Sequence, residues 1–294
     1  MDWVWGASAP PPFLCIYGVY MSGTRRIGLL RLRRGGEDPW ASWWYFKGPT
    51  AYGDGDNAHL WMDDNADFEI SNGLCTVLVG AEPAAGAWSS IRYGNLFTKE
   101  YYPPVGTQGS WALAINYHGT NPGPSARRCH WAVWRGAFGK QNNYVGDFLY
   151  PFEKTIFGGR FRNSDSASWR SIHDSSQALN QYNWFYGSVT DDTTSRVRIA
   201  ATGDNSGPDY SDLHFRGKIF WALWVKGYLA GHAQIQDIWD GNILPYEICD
   251  PATYPMCYID FKDPVGSTLT PDIQSGPNAP YTFNVYGTPV LGGP

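Results

Sequence analysis

Two carboxylates separated by one residue, Asp67 and Glu69, come nearest to hydrolytic chemistry in this 294-residue chain. If residues 67–70 form a strand, alternate side chains share a face, and the pair would stand together opposite Phe68 and Ile70. A general acid and its nucleophile or base need that proximity. The same alternation is what a plain half-buried strand shows, with polar residues toward water, and this simpler account is preferred. The six histidines are isolated from one another. No G-x-S-x-G, H-E-x-x-H, Walker A or G-x-G-x-x-G pattern occurs. The residues predict a protein that is not an enzyme.

Oxygen donors do cluster on prospective loops. Asp54-Gly-Asp56-Asn57 and the run from Asp204-Asn205 to Asp209 supply the hard ligands that calcium takes. Asx and glycine are also ordinary turn formers, so a plain turn is the first explanation of each cluster and a calcium site built on Asp54, Asp56, Asp204 and Asp209 the second. No other cofactor is expected.

The net charge of −5 provides no field for nucleic acid or an anionic membrane surface. The charge is unevenly spread. Residues 1–35 carry Arg25, Arg26, Arg31, Arg33 and Arg34 against Asp2 alone, a surplus of four positives that leaves the remainder at −9. Such an arm could dock onto an acidic neighbour, or it could be an edge strand guarded by charge. There is no 18-residue apolar run, which argues against membrane insertion, and no basic-then-apolar leader, which predicts folding in a cytoplasm. Five cysteines without a C-x-x-C pair read as reduced core thiols, the one conceivable pair being Cys249 with Cys257.

Aromatic residues reach 16% while charged ones are only 17%, so rings must cover surface as well as core. Pairs at odd spacing on a strand point to opposite faces: Trp43/Trp44, Trp131/Trp134 and Trp221/Trp224. In Phe215–Leu229, the residues Phe215, Ile219, Trp221, Leu223 and Val225 alternate with Arg216, Lys218 and Lys226. This predicts an inward odd-numbered face that leaves Phe220 and Trp224 outward among lysines. Trp44, Trp134, Phe220 and Trp224 are therefore the expected outward rings, with partner binding as their expected work.

The elements that would position these residues are strands. Thirty-four glycines and twenty-one prolines spread along the whole chain favour short strands and turns over helices. Strands are expected at 40–47, 67–70, 75–79, 111–117, 129–135, 184–189, 196–201 and 281–286. One helix is expected at Ala230–Trp239, where Ile235, Ile238 and Trp239 share a face. The fold class is all-β, an antiparallel β-sandwich with extended N- and C-terminal segments and one short helix. A basic arm at 1–36, a sandwich domain at 37–250 and a Pro-rich strap or extension at 251–294 complete the expected organisation.

Phe215-x-Gly217-x-Ile219, followed by Trp224-Val225, Leu229 and Gln234-Ile235, resembles the closing motif of laminin-G-like, concanavalin A-like lectin/glucanase domains. Arg196-Val-Arg-Ile-Ala-Ala-Thr-Gly203 is similar to the strand that precedes it in that family. The order of Trp224-Val225 is inverted relative to the family, and the helix begins one residue late. The resemblance implies a concanavalin A-like jelly roll. It also implies binding of glycans or protein partners, often with calcium at loop ends, or a purely architectural role of the kind similar jelly rolls have in bacteriophage virions. The glucanase branch carries E-x-D-x-x-E, whereas here Asn65 stands two before Asp67, and Ser71 and Asn72 follow Ile70.

A domain type common outside cells, on a chain without an export signal, suits a virion protein that folds in a host cytoplasm. The expectation is a non-enzymatic structural component, capsid decoration or tail. It would contact other virion subunits and further copies of itself through the arginine arm and the outward rings. A glycan-binding module for host attachment is the alternative, and a glycoside hydrolase a distant third.

Overall fold

The computed structural model describes residues 38–47, 58–70, 73–84, 93–101, 108–117, 127–134, 140–144, 153–162, 167–173, 178–184, 189, 195–201 and 214–293. All belong to the second of two units into which the chain divides at Arg33/Arg34. The strands in chain order are β1 (Trp43–Phe46), β2 (His59–Met62), β3 (Leu74–Pro83), β4 (Tyr93–Tyr101), β5 (Gln108–Tyr117), β6 (Arg127–Trp134), β7 (Lys140–Tyr144), β8 (Thr155–Arg162) and β9 (Ala167–His173). They continue with β10 (Ala178–Trp184), β11 (Val197–Ile199), β12 (Gly217–Lys226), β13 (Met256–Asp260), β14 (Thr268–Leu269), β15 (Ile273–Ser275), β16 (Phe283–Tyr286) and β17 (Val290–Gly292). Helix α1 spans His232–Trp239.

Two antiparallel sheets face each other. The first runs β10-β9-β8-β3-β12-β1-β17, with β13 beside β12 and β15 beside β13; the second runs β14-β16-β2-β11-β4-β5-β6-β7. Long β12 is the hub of the first sheet. It pairs with β3 along one side, and on the other with β1 at 217–219 and with β13 at 221–225. The expected antiparallel sandwich with one helix is what the chain forms.

The inner faces enclose one core, in which Trp44, Phe97, Trp111, Trp131 and Trp224 are among the largest side chains. A second apolar layer covers the outer face of the first sheet. There Trp221, Leu223 and Val225 pack under Ile235 and Ile238 of α1 and under Ile248. The Gln-Ile pair opening α1 acquires a physical meaning: Gln234 Oε1 accepts the Gly231 backbone N–H at 2.8 Å, Gln234 Nε2 donates to the Ile248 carbonyl at 2.8 Å, and Ile235 is buried.

Large rings are seated on glycines. The Trp131 indole lies where a Cβ on Gly159 of β8 would sit, and Trp221 lies against Gly80 of β3 in the same way. A chain so rich in indoles needs such gaps, because interiors have little spare volume.

Two sequence expectations differ from the structure. Residues 67–70 are not a strand: Ala66–Phe68 is a single 3-10 turn, capped by Asn65, whose Oδ1 accepts the Asp67 N–H at 2.9 Å. Of the strand expected at 184–189, residues 185–188 lie outside the described residues, and Trp184 ends β10. Residues 251–293 are woven in, with β13, β15 and β17 joining the first sheet and β14 and β16 the second. Prolines between these pieces confine each strand to five residues or fewer.

The face assignment of β12 is also corrected. Between Ile219 and Trp221 its pairing to β3 shifts by one residue, a β-bulge with Phe220 as the extra residue. A one-residue slip exchanges faces. Phe215 and Ile219 therefore point into the main core, but beyond the bulge Ala222 and Trp224 do, while Phe220, Trp221, Leu223 and Val225 belong to the outer layer.

Candidate functional site

Asp67 and Glu69 do not form an open acid pair. Asp67 is 2% exposed, and its carboxylate is fully engaged. Oδ2 accepts the Asn278 N–H at 2.9 Å and the Tyr281 O–H at 2.9 Å, and Oδ1 accepts Asn278 Nδ2 at 3.1 Å. Burial, and then this bond to Asp67, pushes the Tyr281 hydroxyl far above the ordinary phenol range. Glu69 turns instead to Lys99, whose Nζ lies 3.5 Å from Glu69 and 2.8 Å from Asp64, with the lysine side chain wholly buried. These carboxylates pin the fold.

The turn they occupy is a junction. Its three successive carbonyls each accept one side-chain donor: Ala66 O from Lys226 Nζ at 2.7 Å, Asp67 O from Trp224 Nε1 at 2.9 Å and Phe68 O from Trp111 Nε1 at 2.8 Å. The two indoles stack at 4.6 Å between centroids, 12° from parallel. One comes from each sheet, so the turn locks the sandwich layers together.

This disposes of two of the expected outward rings. Trp224 and Trp44 are each 1% exposed and both lie in the main core; Trp44 donates its indole N–H to the Asp263 carbonyl at 2.8 Å. The opposite-face arithmetic holds within each pair, but it is Trp43 and Trp221 that point away from the main core. Trp134 does leave the core side of β6, together with Ala112 and Ala132, yet it too is only 4% exposed. Phe220 is buried in the outer layer.

Arg25, Arg26, Arg31, Arg33 and Arg34 of the arm, and Asp54, Asp56, Asp204 and Asp209 of the calcium expectation, lie outside the described residues. Among the described residues no three His, Cys, Asp or Glu side chains gather as metal ligands. Cys249 and Cys257 are thiols and are not joined to each other. Burial, with Asp250 adding to it, pushes the Cys249 thiol up to about 11. No described helix is long and apolar enough to cross a membrane.

The arrangement best suited to recognition lies on the outer face of the first sheet, around Phe220. Trp40 stands at its centre, edge-on to Phe220 at 5.1 Å, to Trp239 at 5.7 Å and to Trp221 at 5.8 Å. Trp43 contacts Phe220 at 5.9 Å and rests against Gly292 of the neighbouring strand β17. Phe220 and Trp221 are buried, while Trp40, Trp43 and Trp239 keep part of their rings open. Lys154 Nζ lies 5.1 Å from the Phe220 centroid and 5.9 Å from that of Trp40, and Lys218 Nζ lies 4.9 Å from Trp43 while pairing with Glu82 at 2.7 Å. Of the expected partner-binding residues, Phe220 alone helps to build this patch. The bulge that brings Trp221 out beside Phe220 is invisible in a period-two reading, and Trp40 and Trp239 are 199 residues apart in sequence.

Comparison with solved structures places this architecture. The chain superposes on a native heptameric SAP-like pentraxin from Limulus polyphemus with a TM-score of 0.53 at 9% identity, covering 88% of this chain and 97% of that one. It superposes on a putative carbohydrate-binding protein from Bacteroides ovatus with a TM-score of 0.52 at 12% identity, covering 86% of this chain and 60% of that one. The fold is an antiparallel β-sandwich jelly roll. Tailspike protein 2 of an Escherichia coli O157:H7 bacteriophage superposes more loosely, at a TM-score of 0.42 and 10% identity over 63% of this chain and 24% of the other. No protein-family profile matches the chain. No curated protein matches it in sequence.

Proposed function

We propose that this chain is a non-enzymatic binding protein that recognises carbohydrate through its jelly roll, in the setting of host attachment. The observation that carries the reading is the contrast at the site. The hydrolytic carboxylate pair is consumed by the Asn278 and Tyr281 bonds and by Lys99, while three tryptophans remain partly open on a rigid surface. The carbohydrate-binding description of the similarly folded Bacteroides protein supports it. Full-length protein on a glycan array, with and without calcium, should give saturable hits and release no reducing sugar from them. A blank array under both conditions removes the reading.

A structural place in a virion, as a capsid-decorating or tail component among other subunits, is the second reading. A specific feature favours it: the exposed large apolar side chains of the described residues, Tyr286 (54%), Val290 (48%) and Leu291 (39%), all lie on β16 and β17, where β17 is the last strand of its sheet among the described residues. Purified protein should then self-associate or bind particle subunits, and Leu291→Asp should abolish it. A strictly monomeric protein without affinity for such subunits ends this reading.

A further inference from the structure

The geometry points to the Trp40, Trp43 and Trp239 patch as the carbohydrate site, taking one or two uncharged hexose rings stacked on the open indoles. The inference rests on the carbohydrate reading above and adds to it a location and a ligand class.

Size decides against a protein partner here. At about 150–250 Å² per aromatic side chain, three half-buried indoles leave on the order of 200 Å² open. A stable protein interface needs about 800 Å² from each partner. An area this small matches a saccharide unit, whose C–H faces are apolar and whose edge is a ring of hydroxyls.

Rigidity favours the same ligand. Trp40 is fixed edge-on by Phe220, Trp221 and Trp239, and Trp43 is held against Gly292. A weakly binding sugar cannot offset the entropy of ordering its own platform, so a preformed one matters.

Charge selects the class. Lys154 is exposed over the rings, and Glu153 and Asp38 are exposed as well. The Asp38 Oδ1 accepts the Trp40 backbone N–H at 3.0 Å, which keeps that carboxylate at the main chain from which the ring springs. Lys218 is neutralised by Glu82 at 2.7 Å. The rim therefore offers both donors and acceptors without a surplus of positive charge, which suits hydroxyls and disfavours a uronic or other acidic sugar.

Three proteins, the unaltered chain, Trp40→Ala and Lys154→Ala, are compared by titration calorimetry with the neutral and uronate oligosaccharides found as array hits. Tryptophan fluorescence is followed in parallel. The neutral ligand should bind and shift the fluorescence. Trp40→Ala should weaken it about tenfold or more and Lys154→Ala a few-fold, the latter at an exposed position that leaves the melting temperature unchanged. Hits whose affinity both substitutions leave unaltered overturn the location while the lectin reading survives. A preference for uronates overturns the ligand class. A blank array overturns both, and protein partners whose binding is lost with Trp40→Ala would assign the patch to an interface instead.

Discussion

Two aromatic regions of this molecule use the same residue type in opposite ways. Around the Ala66–Phe68 turn, Trp111 and Trp224 stack with their N–H groups spent on carbonyls of one turn, and no ring face is left open. Around Phe220, the rings meet edge-on and Trp40, Trp43 and Trp239 keep part of their faces toward solvent. Abundance of tryptophan is therefore not itself a sign of binding. The N–H and face bookkeeping of each indole separates a structural ring from a recognition ring.

The largest expected effect tests that separation directly. Trp224→Ala removes a buried indole and leaves the Asp67 carbonyl without its donor, and should cost about 3–5 kcal/mol by chemical denaturation. Trp40→Ala, at a half-open position, should cost clearly less stability while removing ligand binding. Equal losses of stability would break the distinction. A smaller loss is expected from Gly159→Ala, whose new methyl would meet the Trp131 indole across the core: about 1–3 kcal/mol, from overpacking.

Asp67→Asn should cost about 1–2 kcal/mol, because an amide presents a single acceptor oxygen where two carboxylate oxygens now take three donors. The substitution should also bring the Tyr281 hydroxyl's titration down toward the ordinary range, read by ultraviolet absorbance, as the neighbouring negative charge is lost. A variant with unaltered stability would reopen the possibility that this carboxylate is kept for chemistry.

The sandwich class and the strands β1, β3, β5, β6, β11, β12 and β16 were legible because inward residues alternate clearly, as in Trp111, Leu113 and Ile115 of β5. The helix was legible from Ile235, Ile238 and Trp239, which share a face. Features created by pairing between distant segments were not. The bulge at Phe220 adds no residue type that marks it, yet it reverses every face assignment beyond Phe220. Strand β8 is absent from the expected strands, since Gly158-Gly159 contribute no side chain to an alternating pattern; Gly159 in fact makes room for Trp131. The acidic turn read as a strand because Asp67 and Glu69 straddle Phe68, whereas Asn65 caps it into a 3-10 turn. The aromatic patch around Phe220 joins residues from β1 and the turn before it, from β12 and α1, and from the segment before β8, and no local window contains them.

The smallest effect concerns a second turn anchored by an indole. Trp44 donates to the Asp263 carbonyl, and the same turn begins at Asp260. Burial raises the Asp260 carboxyl to about 6, with Asp272 and Asp263 adding to the rise and Lys262, 3.5 Å away, opposing it. A carboxyl whose folded value lies above its unfolded one binds more protons when folded, between about pH 4 and 6. Its charged form therefore weakens the fold above about pH 6, and stability is recovered as pH falls through that window. Asp260→Asn should remove this one slope and stabilise the protein at pH 8 by about 1 kcal/mol, since Lys262 keeps Asp272 at 2.8 Å. The turn around Ala66–Phe68 should show no such gain, because its buried carboxylate is held by three donors where Asp260 has one distant cation. If Asp260→Asn instead destabilised at pH 8, the ion pair with Lys262 would outweigh desolvation, and the two anchored turns would be alike.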